Sequence, residues 1–119
     1  MDRLQLLSRA GKEILLIDLS SCQIKEALLV IQQAAPLIRS KAPKSLRTLT
    51  DVTHSRYDME WVNAIKAFAK ANEPFVCASA IVGVTPLGQV LIAAIETFTG
   101  RSIKPFPDRE SAIRWLAMQ

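Results

Sequence analysis

The sequence predicts an α/β domain in which a mainly parallel five-stranded sheet is covered by four helices, in the order β-β-α-β-α-β-α-β-α. Three observations predict it. The stretch from Phe75 to Val84 is a nearly unbroken apolar run, the pattern of a strand covered on both faces. It stops at Thr85 and Pro86, where a threonine can cap a helix and a proline takes the first helical position, whose amide proton would have no partner anyway. From Glu13 onward, strand-like and helix-like segments alternate with short connections, which favours parallel strands joined by right-handed crossovers.

Arg3 to Leu7 reads as the first strand, Ala10 to Lys12 as a turn, and Glu13 to Leu19 as the second strand. This hairpin makes the first strand antiparallel to the second and places it at or near an edge. Ser20 and Ser21 offer caps for a helix starting near Cys22, because Ile24, Ala27, Leu28, Ile31 and Ala35 fall at helical spacing. Pro36 removes one backbone bond and predicts a kink, with helix resuming to about Lys41. Leu46 to Thr50 is the third strand and Asp51 to Arg56 a polar loop. Asp58 caps the second helix, whose apolar stripe is Trp61, Val62, Ile65, Phe68 and Ala69. The third helix presents Leu87, Val90, Leu91, Ala94, Ile95 and Phe98 as its buried stripe, and Gly100 ends it in a left-handed conformation. Ser102 to Lys104 is a short fifth strand, and Pro107 with Asp108 opens a last helix that turns Ala112, Ile113, Trp115 and Leu116 inward.

The 119 residues amount to a single domain spanning 1–119, long enough for one core without staples. Half are hydrophobic and 22% charged, which excludes a chain disordered throughout. The first residues carry charges and no signal-peptide pattern, and no apolar run reaches the roughly 18 residues that span a bilayer. A cytoplasmic protein without an integral membrane segment is expected. Cys77, inside the apolar strand, is expected to be buried, and Cys22, near a helix start, to be slightly acidic. The net charge of +4 gathers partly at Arg39, Lys41, Lys44, Arg47 and Arg56, which lie around one helix end and complement its dipole. Without a denser basic stripe or aromatics to stack bases, no nucleic-acid partner is expected.

The segment Leu46 to Thr53, the run Phe75 to Val84 with its following helix, the stretch Gly100 to Phe106 and the helix Glu110 to Leu116 resemble the SpoIIAA-like proteins, which include the STAS domains and small stand-alone bacterial relatives. The resemblance covers essentially the whole chain. It implies the SpoIIAA-like fold and a regulatory role of the anti-sigma-factor-antagonist type, in which proteins act by switching partners. In that type a kinase-like partner phosphorylates a serine at the start of the helix after the third strand, within a pattern of an aspartate, one or two serines and a glycine. Here Asp58 is followed by Met59 and Glu60, and neither Thr53 nor Ser55 holds the motif position. The usual serine phosphoswitch is therefore not expected.

In a parallel sheet the carboxyl ends of the strands gather at one edge, and ligands favour that edge. The segments Asp18 to Ser21, Asp51 to Arg56, Val84 to Pro86 and Pro105 to Asp108 meet there, where helix N-termini favour an anion. The candidate binding residues are Asp51, Thr53, His54, Ser55, Arg56, Asp58 and Thr85. Simpler roles compete: Ser20, Ser21, Thr85 and Asp108 as caps, Asp51 as the closure of a turn. Asp51, His54, Ser55 and Asp58 contain the ingredients of nucleophilic catalysis, but there is no G-x-S-x-G elbow, P-loop, dinucleotide fingerprint or H-E-x-x-H. One histidine with two distant cysteines is a poor metal site. No catalytic residue, metal or cofactor is expected. The third helix carries Ile92 beside its main stripe and few polar groups, which fits an ordinary helix packed between the sheet and its neighbours and also allows further burial in a homodimer or against a lipid-like molecule. The expected function is a non-enzymatic regulatory or binding domain that docks a protein partner or small ligand near residues 51–58. The alternative is a carrier of a lipid-like or anionic small molecule.

Overall fold

The computed structural model describes residues 2–119. Its strands are β1 (Leu4–Arg9), β2 (Lys12–Asp18), β3 (Leu46–Asp51), β4 (Val76–Val82) and β5 (Lys104–Phe106). Its helices are α1 (Ile24–Arg39), α2 (Met59–Asn72), α3 (Pro86–Thr99) and α4 (Arg109–Leu116), with a short 3-10 turn at Glu73–Phe75. The five strands form one sheet in the order β1-β2-β3-β4-β5. β1 pairs antiparallel with β2, and every later pair is parallel. The element order and the sheet are those the sequence predicts.

The sequential order decides where the helices lie. Each crossover from β2 to β5 steps the same way along the sheet with the same hand, so α1, α2 and α3 are carried to one face. Only α4, free after the last strand, folds back to cover the other. Two cores result. Leu15 and Ile17 of β2 point into the larger one, with Ile31, Ile38, Trp61 and Ile95. Ile14 and Leu16, one residue out of phase, point into the smaller one with Leu49, Ala112 and Leu116. A strand buried on both faces loses the alternation of polar and apolar residues, hence the run Ile14–Ile17.

Local details differ from expectation for identifiable reasons. Ser20 and Ser21 do not cap α1: the Ser20 hydroxyl donates to Asp18 Oδ1, Ser21 takes a left-handed φ of 56°, and the cap position falls to Gln23 without a side-chain bond. As expected, α1 continues past Pro36, ending at Arg39. Cys77 is exposed, not buried. A register shift pairs Leu46 with Val76 but Arg47 with Ala78, so the bulge skips Cys77 and turns it outward. Cys22 is fully buried, and burial pushes its thiol pKa up, which overturns the acidic thiol expected at a helix start.

The buried face of α3 is also rotated from the expected stripe. Gly88, Ile92 and Ile95 face inward, while Leu87, Val90 and Phe98 are exposed. α3 lies beside α2 in its layer, and one of its two apolar stripes is buried. Gly88 decides which one: a Cβ there would meet Val84 Cγ1 at 2.9 Å and the Tyr57 hydroxyl at 3.2 Å, so the glycine lets α3 approach closely. Phe98 is instead covered by the ammonium groups of Lys66 and Lys70, 5.4 and 5.3 Å from its ring centre.

Candidate functional site

The carboxyl ends of β2 and β3 finish on two aspartates in register, Asp18 beside Asp51. Each is tied to the residue two positions on. Asp18 Oδ1 accepts from the Ser20 amide at 2.9 Å and from its hydroxyl at 2.5 Å, and Asp51 Oδ1 accepts from the Thr53 amide at 3.0 Å and its hydroxyl at 2.7 Å. These repeated turns fold each strand end back on itself. Two like charges side by side need a counter-charge, and Arg109 at the start of α4 provides it. Its Nε donates to Asp51 Oδ2 at 2.7 Å and its NH2 group lies 3.2 Å from Asp18 Oδ1. Arg3 adds a weaker contact, 3.7 Å from Asp18, and donates to the Ser20 carbonyl at 2.9 Å. Burial alone would raise the Asp18 carboxyl, but the Ser20 hydrogen bonds and Arg109 outweigh it and hold the pKa below its ordinary value.

The loop after β3 is held by its own backbone. Val52 N donates to Val82 O at 2.9 Å, Ser21 N to Thr53 O at 2.8 Å, Ser55 N to Val52 O at 3.0 Å, and Arg56 N to Cys22 O at 3.2 Å. His54 takes a left-handed φ of 57° at the tip, where it is exposed. Arg56 is exposed as well, and among the described residues neither side chain makes a hydrogen bond or ion pair. Asp58 caps α2, accepting from Trp61 N at 2.8 Å, and Thr85 caps α3, accepting from Gly88 N at 3.0 Å.

No family model and no curated protein matches the chain. A solved structure described as an anti-sigma-factor antagonist (STAS) domain protein from Planctomyces limnophilus superposes with a TM-score of 0.64, covering 96% of this chain and 97% of that chain at 9% sequence identity. The chain has a STAS-like fold. A likeness at that identity speaks for the path of the backbone and leaves the side chains to be read from this chain.

Within this STAS-like fold the seven expected site residues part into two groups. Asp51, Thr53, Asp58 and Thr85 sit at the strand-end edge, but each is occupied by a turn, a cap or Arg109. Ser55 turns inward, its hydroxyl buried and, among the described residues, without a hydrogen-bond partner. His54 and Arg56 remain available to a partner. Among the described residues no hydrogen bond links His54 to Ser55, Asp51 or Asp58, so the four do not form a proton relay. Nor does any group of three or more His, Cys, Asp or Glu among the described residues come together to hold a metal. Among the described residues no helix is long and apolar enough to cross a membrane.

Sequence reasoning missed Arg109, which lies 58 residues from Asp51 along the chain. A faint signal existed: a cation in the first turn of a helix opposes the dipole there, so it needs a reason to be present. It also missed Arg101. At the opposite, N-terminal end of the parallel strands, Arg101 donates to the Ala69 carbonyl at 2.8 Å and to the Ser79 hydroxyl, which in turn shares a 2.9 Å hydrogen bond with Thr48. Arg101 stands between two hollows. Inside is a mainly apolar chamber of about 50 Å³ between the sheet and α2, whose walls include Ile65, Phe68, Ile81 and Ile103. Outside is a polar cleft of about 210 Å³ lined by Lys44, Glu73, Cys77 and Ser102, and Arg101 and Ser79 line both.

Proposed function

We propose that this chain is a non-enzymatic regulatory domain that docks an acidic or mixed acidic and apolar surface of a protein partner at the loop 51–58 and the adjoining helix starts. The observation that carries this reading is the rigid presentation of His54 and Arg56. Four backbone hydrogen bonds fix their loop, yet their side chains are uncommitted among the described residues. A preordered loop loses little entropy on binding, the unpaired Arg56 guanidinium steers and orients an acidic partner, and the exposed His54 ring beside it adds a hydrogen-bonding group. Exposed apolar groups adjoin it: Met59 in the first turn of α2 is 65% exposed, as is Leu87 in the first turn of α3. The STAS-like fold, shared with a protein described as an anti-sigma-factor antagonist, agrees with this role.

The domain works without the serine phosphoswitch. Met59 and Glu60 stand where the pattern has serine, the Thr53 hydroxyl is committed to Asp51, and the Ser55 hydroxyl is buried. Affinity capture with the wild-type chain and with His54→Ala, Arg56→Ala and Met59→Glu variants of unchanged thermal stability tests the reading. A partner held by wild type and released by all three variants supports it. Partners held equally by every variant would place docking elsewhere.

A further inference from the structure

We propose that the chamber behind Arg101 binds a small monocarboxylic acid, its apolar tail lying along α2 and its carboxylate paired with the Arg101 guanidinium at the mouth. The cleft and the Arg101 mouth lie toward the N-terminal half of β4, while the chamber runs beneath the sheet to Val52 and Trp61; the site uses neither the His54 nor the Arg56 side chain and does not depend on the reading of their loop.

Arg101 is the first argument. Among the described residues it makes no ion pair; both of its hydrogen-bond acceptors, Ala69 O and Ser79 Oγ, are neutral. Burial pulls its pKa below the ordinary value, with only a partial offset from Glu73. A partly buried cation with no counter-ion is costly, and a carboxylate would relieve the cost. The guanidinium is shaped to take one bidentately. Lys44, the other cation of the cleft, is already paired with Glu73 at 2.7 Å, so Arg101 is the cation left to receive an anion.

Two orphaned polar groups are the second argument. Asn72 is 2% exposed and Trp61 1% exposed, and among the described residues neither Asn72 Oδ1 nor Trp61 Nε1 has a partner. Both residues line the chamber. Buried polar atoms without partners are rare, and a carboxylate at the mouth would complete Asn72, the one nearer Arg101, while Trp61 Nε1 stays unpaired beside the tail. Asn72 lies about one turn of α2 beyond Ala69, whose carbonyl holds Arg101, and lines the chamber. Turned over, its amide offers NH2 to the same carboxylate. Trp61 is eleven residues earlier on α2 (72 − 61), about 16 Å along the helix axis, so the chamber is long and narrow.

Shape and charge then limit the occupant. A chamber of about 50 Å³ takes only a few carbons before side chains must shift, while the head has the 210 Å³ cleft to itself. One free cation and apolar walls suit a single carboxylate on an unbranched tail, and give nothing to a second charge inside.

The test uses the full chain carrying Trp115→Phe. Trp115 packs in the core on the other face of the sheet, so Trp61 becomes the sole tryptophan reporter. Butanoate, hexanoate and octanoate are titrated against Trp61 fluorescence beside hexan-1-ol, octan-1-ol and inorganic phosphate. Saturable binding of the acids is expected, with affinity rising about fourfold per added methylene until the chamber is full. The alcohols should bind at least about tenfold more weakly and phosphate not at all. Arg101→Met should weaken the acids by about tenfold or more and leave the alcohols unchanged, while Arg101→Lys should retain part of the preference. No saturable signal from any acid to ~10 mM overturns the proposal. So does phosphate binding as tightly as the acids, which would mark a general anion cleft. If Arg101→Met does not fold, the wild-type comparison decides, because acids and alcohols of equal affinity would remove any role for the carboxylate.

Discussion

Arg109 Nε donates to Asp51 Oδ2 at 2.7 Å, joining the first residue of the last helix to the last residue of a central strand. The Asp51 side chain is 8% exposed and that of Arg109 is 38% exposed. A buried carboxylate beside a second one, Asp18, depends on this cation from α4.

Replacing Arg109 with Met keeps most of the apolar stem and removes the charge. Hydrogen bonds to charged groups contribute about 1.5–3 kcal/mol, and the partial exposure of Arg109 puts the loss at the lower end, about 2 kcal/mol. Urea unfolding should show a lower midpoint with an unchanged slope. A midpoint equal to wild type would mean that solvent or Arg3 neutralises the two aspartates instead.

Asp18 makes the stability of the fold sensitive to acid. Its folded-state pKa is depressed, so it contributes stability above the pKa of the unfolded chain and loses it as pH falls through the folded value. Wild type should therefore be more stable than Asp18→Asn near neutral pH, with the gap narrowing as pH falls below the ordinary carboxylate range. Denaturation midpoints measured across that range check the sign; a gap that widened on acidification would contradict it.

Gly83 follows β4 with a φ of 83°, and a Cβ there would lie 2.1 Å from Thr53 Oγ1 and 2.7 Å from the Thr53 backbone. The side chain would collide with a loop that cannot retreat, because the Thr53 amide and hydroxyl are bound to Asp51. Gly83→Ala should destabilise by about 2–3 kcal/mol through strain and overlap. Gly11→Ala, with a φ of 77° but nothing within 4 Å, should lose less, since only the backbone is strained. Thermal melts of the two variants compare the contributions, and equal losses would rule out the Thr53 contact.

The two thiols should react in sequence. Cys77 is exposed at the bulge of β4, whereas Cys22 is fully buried with a raised pKa. A thiol reagent should label Cys77 in the folded chain and reach Cys22 only in denaturant. Cys77→Ser should abolish the fast phase; rapid native labelling that survived this change would place Cys22 at the surface.

Much of the fold was legible because it rests on local chemistry. The cap at Asp58, the Thr85 and Pro86 helix start and the left-handed stop at Gly100 each act on their own neighbours in sequence, and each is found as expected. The site was legible only in part. Its edge follows from parallel strands, but the sequence could not separate residues that build the edge, such as Asp51, from those it leaves available, such as His54 and Arg56.

By itself the sequence determined the element order, the sheet direction and the rim where loop 51–58 lies, because hydrophobic periodicity and helix signals act over a few residues. Tertiary structure alone decided that Gly88 turns Ile92 inward and leaves Val90 outside, that a bulge exposes Cys77, that Arg109 reaches Asp51, and that Arg101 stands between chamber and cleft with no ion pair among the described residues. Those outcomes depend on which surfaces meet across the sheet, and side chains 22 to 58 residues apart in the chain leave no periodic trace of the contact they will make.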